Sequence, residues 1–136
     1  MLLDTHIRAL SRRLYLRPAG KGLSADLSNS EIFTSEALGR KGRCVMTELA
    51  KECGFALSSM TGIVDRLVTK GYVNRFRSEQ DRRSVFVELT KKGGQVYQEC
   101  LEAEMELIIA MMDALEPSEQ DALVDLLGKA VAGLDA

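Results

Sequence analysis

The first residues of the chain place Leu3, Ile7, Leu10 and Leu14 at the three- and four-residue spacing of one helix face, with Arg8, Arg12 and Arg13 on other faces. The spacing predicts an amphipathic helix over about residues 2–16, ended by Arg17-Pro18-Ala19-Gly20. Beyond a loop holding Gly20 and Gly22, Ser28 or Asn29 is placed to cap a second helix carrying Ile32, Phe33, Ala37 and Leu38, which stops near Gly39 or Gly42. Residues Met46 to Cys53 form a short helix with Leu49, Ala50 and Cys53 on one face, followed by Gly54 in the turn. The next helix begins almost at once. Met60, Ile63, Val64 and Leu67 share its apolar face, Ser58 is placed to cap it, and Gly71 suits a left-handed stop. Its opposite face presents Ser58, Ser59, Thr61, Gly62, Asp65 and Arg66. Two short helices joined by a small glycine-containing turn are the pattern of a helix-turn-helix.

The period then changes from that of a helix to that of a strand. Tyr72 to Arg77 alternates, Ser84 to Leu89 alternates again, and the segment Ser78-Glu79-Gln80-Asp81-Arg82-Arg83 between them is polar and charged. This predicts a β-hairpin with a basic tip, and a helix-turn-helix followed directly by a hairpin is a winged helix. From Thr90 a long helix carries Tyr97, Leu101, Ile108, Met111, Met112 and Leu115. Glu116-Pro117 interrupts it, and Ser118 opens a last helix with Leu123, Leu127, Ala130 and Leu134 in one stripe, broadened by Leu126 and Val131. The expected fold is mainly α with a small β-hairpin: a winged helix-turn-helix lobe over residues 28–93, and N- and C-terminal helices over residues 1–27 and 94–136. Apolar stripes on the terminal helices exceed what one thin layer can cover. They are expected to bury one another, within the chain or across a two-fold axis. Leu3, Ile7, Leu10, Leu14, Leu115, Leu123, Leu127 and Leu134 are the candidate dimerisation residues.

Composition narrows the function classes. In 136 residues, 46% are hydrophobic but only 5% aromatic, with no Trp, which favours packed helices over a β-sandwich. No apolar run approaches the ~18 residues of a membrane span, and Met1-Leu2-Leu3-Asp4 lacks the regions of a signal peptide, so a soluble, cytoplasmic protein without membrane contact is expected. The formal net charge of −2 conceals a partition. Residues 39–92 carry 12 basic and 6 acidic side chains, whereas residues 93–136 carry 1 and 10. A basic module flanked by an acidic helical segment fits contact with a polyanion, or else a solvated basic face. Three cysteines without a CxxC pair and a single histidine, His6, argue against a disulfide framework and against a metal site. No GxSxG, HExxH or phosphate-cradling loop occurs, so no enzyme, no cofactor and no metal are expected.

The ordered series Asp65-Arg66-Leu67-x-x-Lys70-Gly71-Tyr72-Val73-x-Arg75, then Asp81-Arg82-Arg83, then Leu89-Thr90-x-x-Gly93 resembles the multiple-antibiotic-resistance regulator (MarR) family of winged-helix transcription factors. Leu27-Ser28 and Glu48-Leu49-Ala50 extend it in the expected order. The resemblance implies a homodimer joined by its N- and C-terminal helices that binds a pseudo-palindromic operator in double-stranded DNA, acts as a repressor, and is released by a small phenolic, lipophilic or oxidising signal. It further implies that Arg83 enters the minor groove and that Asp81 supports it in the wing. The chain departs from the family in a short N-terminal helix and in Gly62, where a longer polar or basic residue is common. The candidate DNA-binding residues are Ser58, Ser59, Thr61, Gly62, Arg66, Arg75, Arg77, Arg82 and Arg83. Two alternatives stand beside this reading: a winged helix used only for protein binding, and a thiol-based redox sensor. The peroxide-sensing branch carries its cysteine in the N-terminal helix, where this chain has none. Cys53 and Cys100 read as core residues, which leaves Cys44, after Arg43 in a basic loop, as the redox candidate.

Overall fold

The computed structural model describes residues 1–15 and 26–135; the expected helix stop at Arg17–Gly20 and the Gly20–Gly22 loop lie outside them. The chain divides into two compact units, Met1–Leu101 and Glu102–Ala136. The first holds α1 (Leu2–Tyr15), α2 (Asn29–Lys41), β1 (Cys44–Val45), α3 (Met46–Cys53), α4 (Leu57–Thr69), β2 (Val73–Arg77), β3 (Val85–Leu89) and the start of α5 (Lys91–Asp113). The second holds the rest of α5 and α6 (Pro117–Leu134).

Three ends in the first unit fall where the sequence places a suitable residue. Ser28 opens α2 with a capping box: its hydroxyl accepts from the Glu31 N–H at 3.3 Å, and its own N–H donates to the Glu31 carboxylate at 3.0 Å. Gly54 turns the chain between α3 and α4 at φ 72°, a left-handed conformation that side chains disfavour. Gly71, at φ 86°, plays the same part between α4 and β2. One expectation is corrected here. Ser58 does not cap α4, because the helix already begins at Leu57 with Ala56 in the extended capping conformation; Ser58 stands inside the first turn, exposed.

The hairpin pairs in register, with Arg75 opposite Val87 and Phe76 opposite Phe86. A third strand, not foreseen, completes the sheet: β1 pairs antiparallel with the other edge of β3, Cys44 opposite Val87. The core lies between this sheet and the inner faces of α2, α3 and α4, where Leu38, Leu49, Met60, Val64, Leu67, Tyr72, Val87 and Val96 are fully buried. Burying a side chain of this size stabilises a fold by about 1.5–3 kcal/mol, so these few residues dominate the rigidity of the lobe. α5 enters the lobe through Thr90, whose N–H donates to the Tyr72 carbonyl at 3.0 Å and whose hydroxyl accepts the Gly93 N–H at 3.1 Å. Gly93 is required there, since a Cβ would collide with the Tyr72 carbonyl oxygen.

In the second unit, α6 begins one residue earlier than the spacing suggests, at Pro117, whose missing N–H is one a first helical turn leaves unused. The Gln120 amide donates to the Met112 carbonyl at 2.8 Å and so fixes the turn between α5 and α6. No residue of α6 is buried in the chain. Among the described residues, no helix is long and apolar enough to cross a membrane, and no cluster of His, Cys, Asp and Glu is placed to hold a metal ion.

Candidate nucleic-acid interface

The candidate site starts from α4. Met60, Ile63, Val64 and Leu67 are buried, which at about 3.6 residues per turn puts Ser58, Gly62 and Asp65 nearest the opposite pole. Ser59, Thr61 and Arg66 flank them, all exposed. The face is rich in hydroxyls. Thr61 is not a free donor, because its hydroxyl donates to the Leu57 carbonyl at 2.9 Å; it keeps its acceptor lone pairs and its methyl group.

Beside α4 stands the wing. Its tip, Ser78 to Ser84, is closed by the Ser78 N–H donating to the Ser84 carbonyl at 3.1 Å. The Ser78 hydroxyl accepts the N–H groups of Gln80 and Asp81. Asp81 takes the central position: its carboxylate accepts the Arg83 N–H at 3.0 Å and the Ser84 hydroxyl at 3.1 Å. Asp81 therefore shapes the turn through the backbone of Arg83, and the Arg82 and Arg83 side chains project into solvent. Arg77 braces the same turn by donating to the Arg82 carbonyl at 2.8 Å. At the base of the wing, Arg75 on β2 pairs with Asp65 on α4. That pair neutralises the one carboxylate on the exposed face of α4 and links the helix to the wing.

Between α4 and the wing lies a cleft of about 790 Å³. Arg75, Arg77, Arg83 and Thr61 line it together with the apolar Val45, Met46, Leu57, Phe76 and Val85. A lining that combines arginines with apolar side chains suits an anion with a hydrophobic body. Beside it on the sheet, Phe76 stacks on Phe86 with ring centroids 5.9 Å apart. The Arg43 guanidinium sits 4.7 Å from the centre of the Phe76 ring while its Nε lies 3.3 Å from the Glu88 carboxylate.

The structure thus brings the nine candidate DNA-binding residues onto α4, β2 and the wing tip, within one unit. Sequence reasoning missed the partner of Asp65, although the residue was visible on the exposed face, and missed Val45, Met46 and Leu57 in the cleft. Their proximity follows from β1 pairing with β3, and a two-residue strand leaves no periodic signal. It also missed the partners of Lys70, whose ammonium donates to the Asp26 carbonyl at 2.8 Å and to the buried Glu31 carboxylate at 3.2 Å. Burial works against the Glu31 charge, but the Ser28 N–H and hydroxyl and the Lys70 ammonium prevail and hold the carboxyl below its ordinary value. The brace ties the end of α4 to the start of α2.

The redox expectation for Cys44 is corrected. Instead of lying in an open loop, Cys44 is buried in β1, and burial, with the charge of Glu48 nearby, pushes its thiol up. A reactive cysteine needs an accessible thiolate. Cys53 and Cys100 are buried as well. The candidate dimerisation residues fall on α1 and α6 and on Leu115 between α5 and α6. Leu3, Ile7, Leu127 and Leu134 are exposed, and Leu10, Leu14, Leu115 and Leu123 are half-buried.

Residues 27–85 match the model of the MarR family. Two Bacillus subtilis proteins described as uncharacterized HTH-type transcriptional regulators are similar in sequence. YfiV is 30% identical over 103 residues, 76% of this chain and 64% of that protein. YpoP is 30% identical over 107 residues, 79% of this chain and 76% of that one. The chain therefore spans just under two thirds of the length of YfiV. Among solved structures, a mutant of E. coli MarR complexed with operator DNA superimposes with a TM-score of 0.68 at 26% identity, covering 95% of this chain and 90% of that one.

Proposed function

Because the chain belongs to the MarR family of winged-helix transcriptional regulators, which are not enzymes, we propose that it binds double-stranded DNA sequence-specifically as a homodimer, on a pseudo-palindromic operator, and represses transcription there. The observation that carries this reading is the hydroxyl- and arginine-bearing face of α4 beside a wing whose Arg82 and Arg83 are held outward by a braced turn. An α-helix of this kind fits the major groove, where Ser58, Ser59 and Thr61 meet base edges or phosphates and Arg66 meets the backbone. Arg83 suits the narrow minor groove, which concentrates negative potential in A·T-rich DNA. Arg75, Arg77 and Arg82 add charge along the wing.

Support for the homodimer is the apolar surface left uncovered. Leu3 and Ile7 on α1, Ile108 and Ile109 on α5, and Leu126, Leu127, Val131 and Leu134 on α6 are all exposed in the single chain, and exposed apolar stripes of this extent mark an interface. A small phenolic or lipophilic effector that releases the DNA fits the cleft between α4 and the wing, whose walls include Thr61, Arg75, Arg77 and Arg83.

Selection of bound sites from genomic DNA tests the reading. The expected result is enrichment of an inverted repeat, bound with an affinity that falls steeply with salt as phosphate contacts release counterions. Recovery of no common site, or binding indifferent to salt, overturns it.

A further inference from the structure

We propose that Gly62 is a specificity-determining residue: its missing side chain leaves a notch in the exposed face of α4 that receives the 5-methyl group of a thymine in the major groove. The inference rests on the DNA-binding reading above.

Glycine in the middle of a helix is disfavoured, because it has more backbone freedom to lose than alanine. Such a residue is explained when the backbone needs a positive φ or when a neighbour fills the space of a Cβ. Neither holds here. The glycines with positive φ are Gly42, Gly54 and Gly71, so Gly62 has a backbone that any residue adopts. A Cβ built on Gly62 meets only the far end of a side chain on its own helix, Arg66 Nη1, at 3.8 Å, an ordinary contact. Gly39 and Gly93 differ, since a Cβ there would strike the Tyr97 ring and the Tyr72 carbonyl respectively; Gly94, Gly128 and Gly133 also have open space, but they belong to α5 and α6, and Gly62 alone of these lies on α4. Within the described residues only the Arg66 side chain borders the space beside Gly62, and that space opens on the side of α4 facing away from the core.

The chemistry of the notch selects its occupant. In mid-helix the backbone N–H groups are already donated along the helix, so the floor of the notch has shape but no donors. Its neighbour Thr61 has directed its only side-chain proton to the Leu57 carbonyl. A polar base edge or a phosphate would find no partner on the floor of the notch; the Arg66 guanidinium, 3.8 Å from the Cβ position, stands at its edge. Among groups displayed in the major groove, the thymine methyl is the apolar one, and it is read by apolar contact. An alanine at position 62 would place its own methyl where that group sits.

The test crosses the two methyl groups. Wild-type protein and Gly62→Ala are titrated against the site selected by the wild type and against versions in which each thymine of a half-site is replaced, in turn, by deoxyuridine. Gly62→Ala is expected to fold with a raised melting temperature and to bind the thymine site about tenfold more weakly. One deoxyuridine substitution per half-site should restore most of the variant's affinity while lowering that of the wild type. Unchanged binding by Gly62→Ala, or weakened binding that no deoxyuridine substitution relieves, overturns the proposal while leaving the DNA-binding reading intact. If the wild type selects no site at all, the DNA-binding reading itself fails and the notch proposal falls with it.

Discussion

Arg83 owes its position to a single carboxylate. Asp81 accepts the Arg83 N–H and the Ser84 hydroxyl, which fixes the backbone from which the guanidinium extends and leaves the side chain in solvent. Removing that side chain should cost the fold little, as exposed charges contribute about 0–1 kcal/mol to stability. Arg83→Ala is expected to keep its helicity and melting temperature yet bind the operator at least about tenfold more weakly, since a minor-groove guanidinium is lost; titration at physiological salt measures it, and equal affinity would remove Arg83 from the interface. Thr61 and Arg66 separate by kind. Thr61 retains acceptor and methyl functions, so Thr61→Ala should change the ranking of operator variants. Arg66→Ala should weaken all of them alike and lower the salt slope. A site-selection profile for Thr61→Ala identical to that of the wild type would show that it reads no base.

At the level of elements, the brace between α2 and α4 carries a pH dependence. Glu31 titrates below its ordinary value of 4.5 in the folded chain. Its charged form therefore adds stability that is complete above the unfolded value and is lost as pH falls through the lower folded one. Thermal unfolding followed from neutral pH down through the acid range should show stability declining below about 4.5, and Glu31→Gln should show a shallower decline. An unchanged acid limb in that variant would mean that other carboxylates set it.

The elements were legible to different degrees. The apolar spacing of Met60, Ile63, Val64 and Leu67 located α4, and the alternation around Phe76 and Phe86 located the hairpin, because local periodicity reflects burial directly. Ser58 misled as a cap because residues that accept from a helix N-terminus also occur inside the first turn, and the choice rests on the backbone of Ala56. Cys44 misled for a longer-range reason: its exposure depends on pairing with Val87, more than forty residues away in sequence. The Lys70–Glu31 brace, spanning 39 positions, is hidden in the same way. Gly93 was recognisable only through family resemblance, and its reason, the approach of α5 to the Tyr72 carbonyl, appears once the fold is in place.

At the scale of the whole molecule, the uncovered apolar residues of α1, α5 and α6 and the operator geometry stand or fall together. If two chains associate about a dyad, two copies of α4 must meet successive major grooves about 34–36 Å apart, on half-sites about 10–10.5 base pairs apart. Leu127→Asp and, separately, Leu10→Asp are expected to lose the dimer and tight operator binding in step, with helicity followed by circular dichroism to exclude unfolding. Linking two lobes raises their effective concentration on the site, so the dissociated variants should retain only weak binding to single half-sites. Sedimentation that finds a folded wild-type monomer at micromolar concentration, or an operator that tolerates five inserted base pairs between half-sites, would contradict this assembly.

The cleft between α4 and the wing shares Thr61, Arg75, Arg77 and Arg83 with the surface proposed to meet DNA. A ligand seated there would compete with an operator for the same guanidinium groups, so release by such a ligand would need no conformational relay. The dose that clears the operator would climb with the concentration of free protein, and a cell holding more copies of this chain would need more signal to switch the promoter. The two affinities would also be yoked in evolution: an arginine gained for one anion would be felt at once by the other.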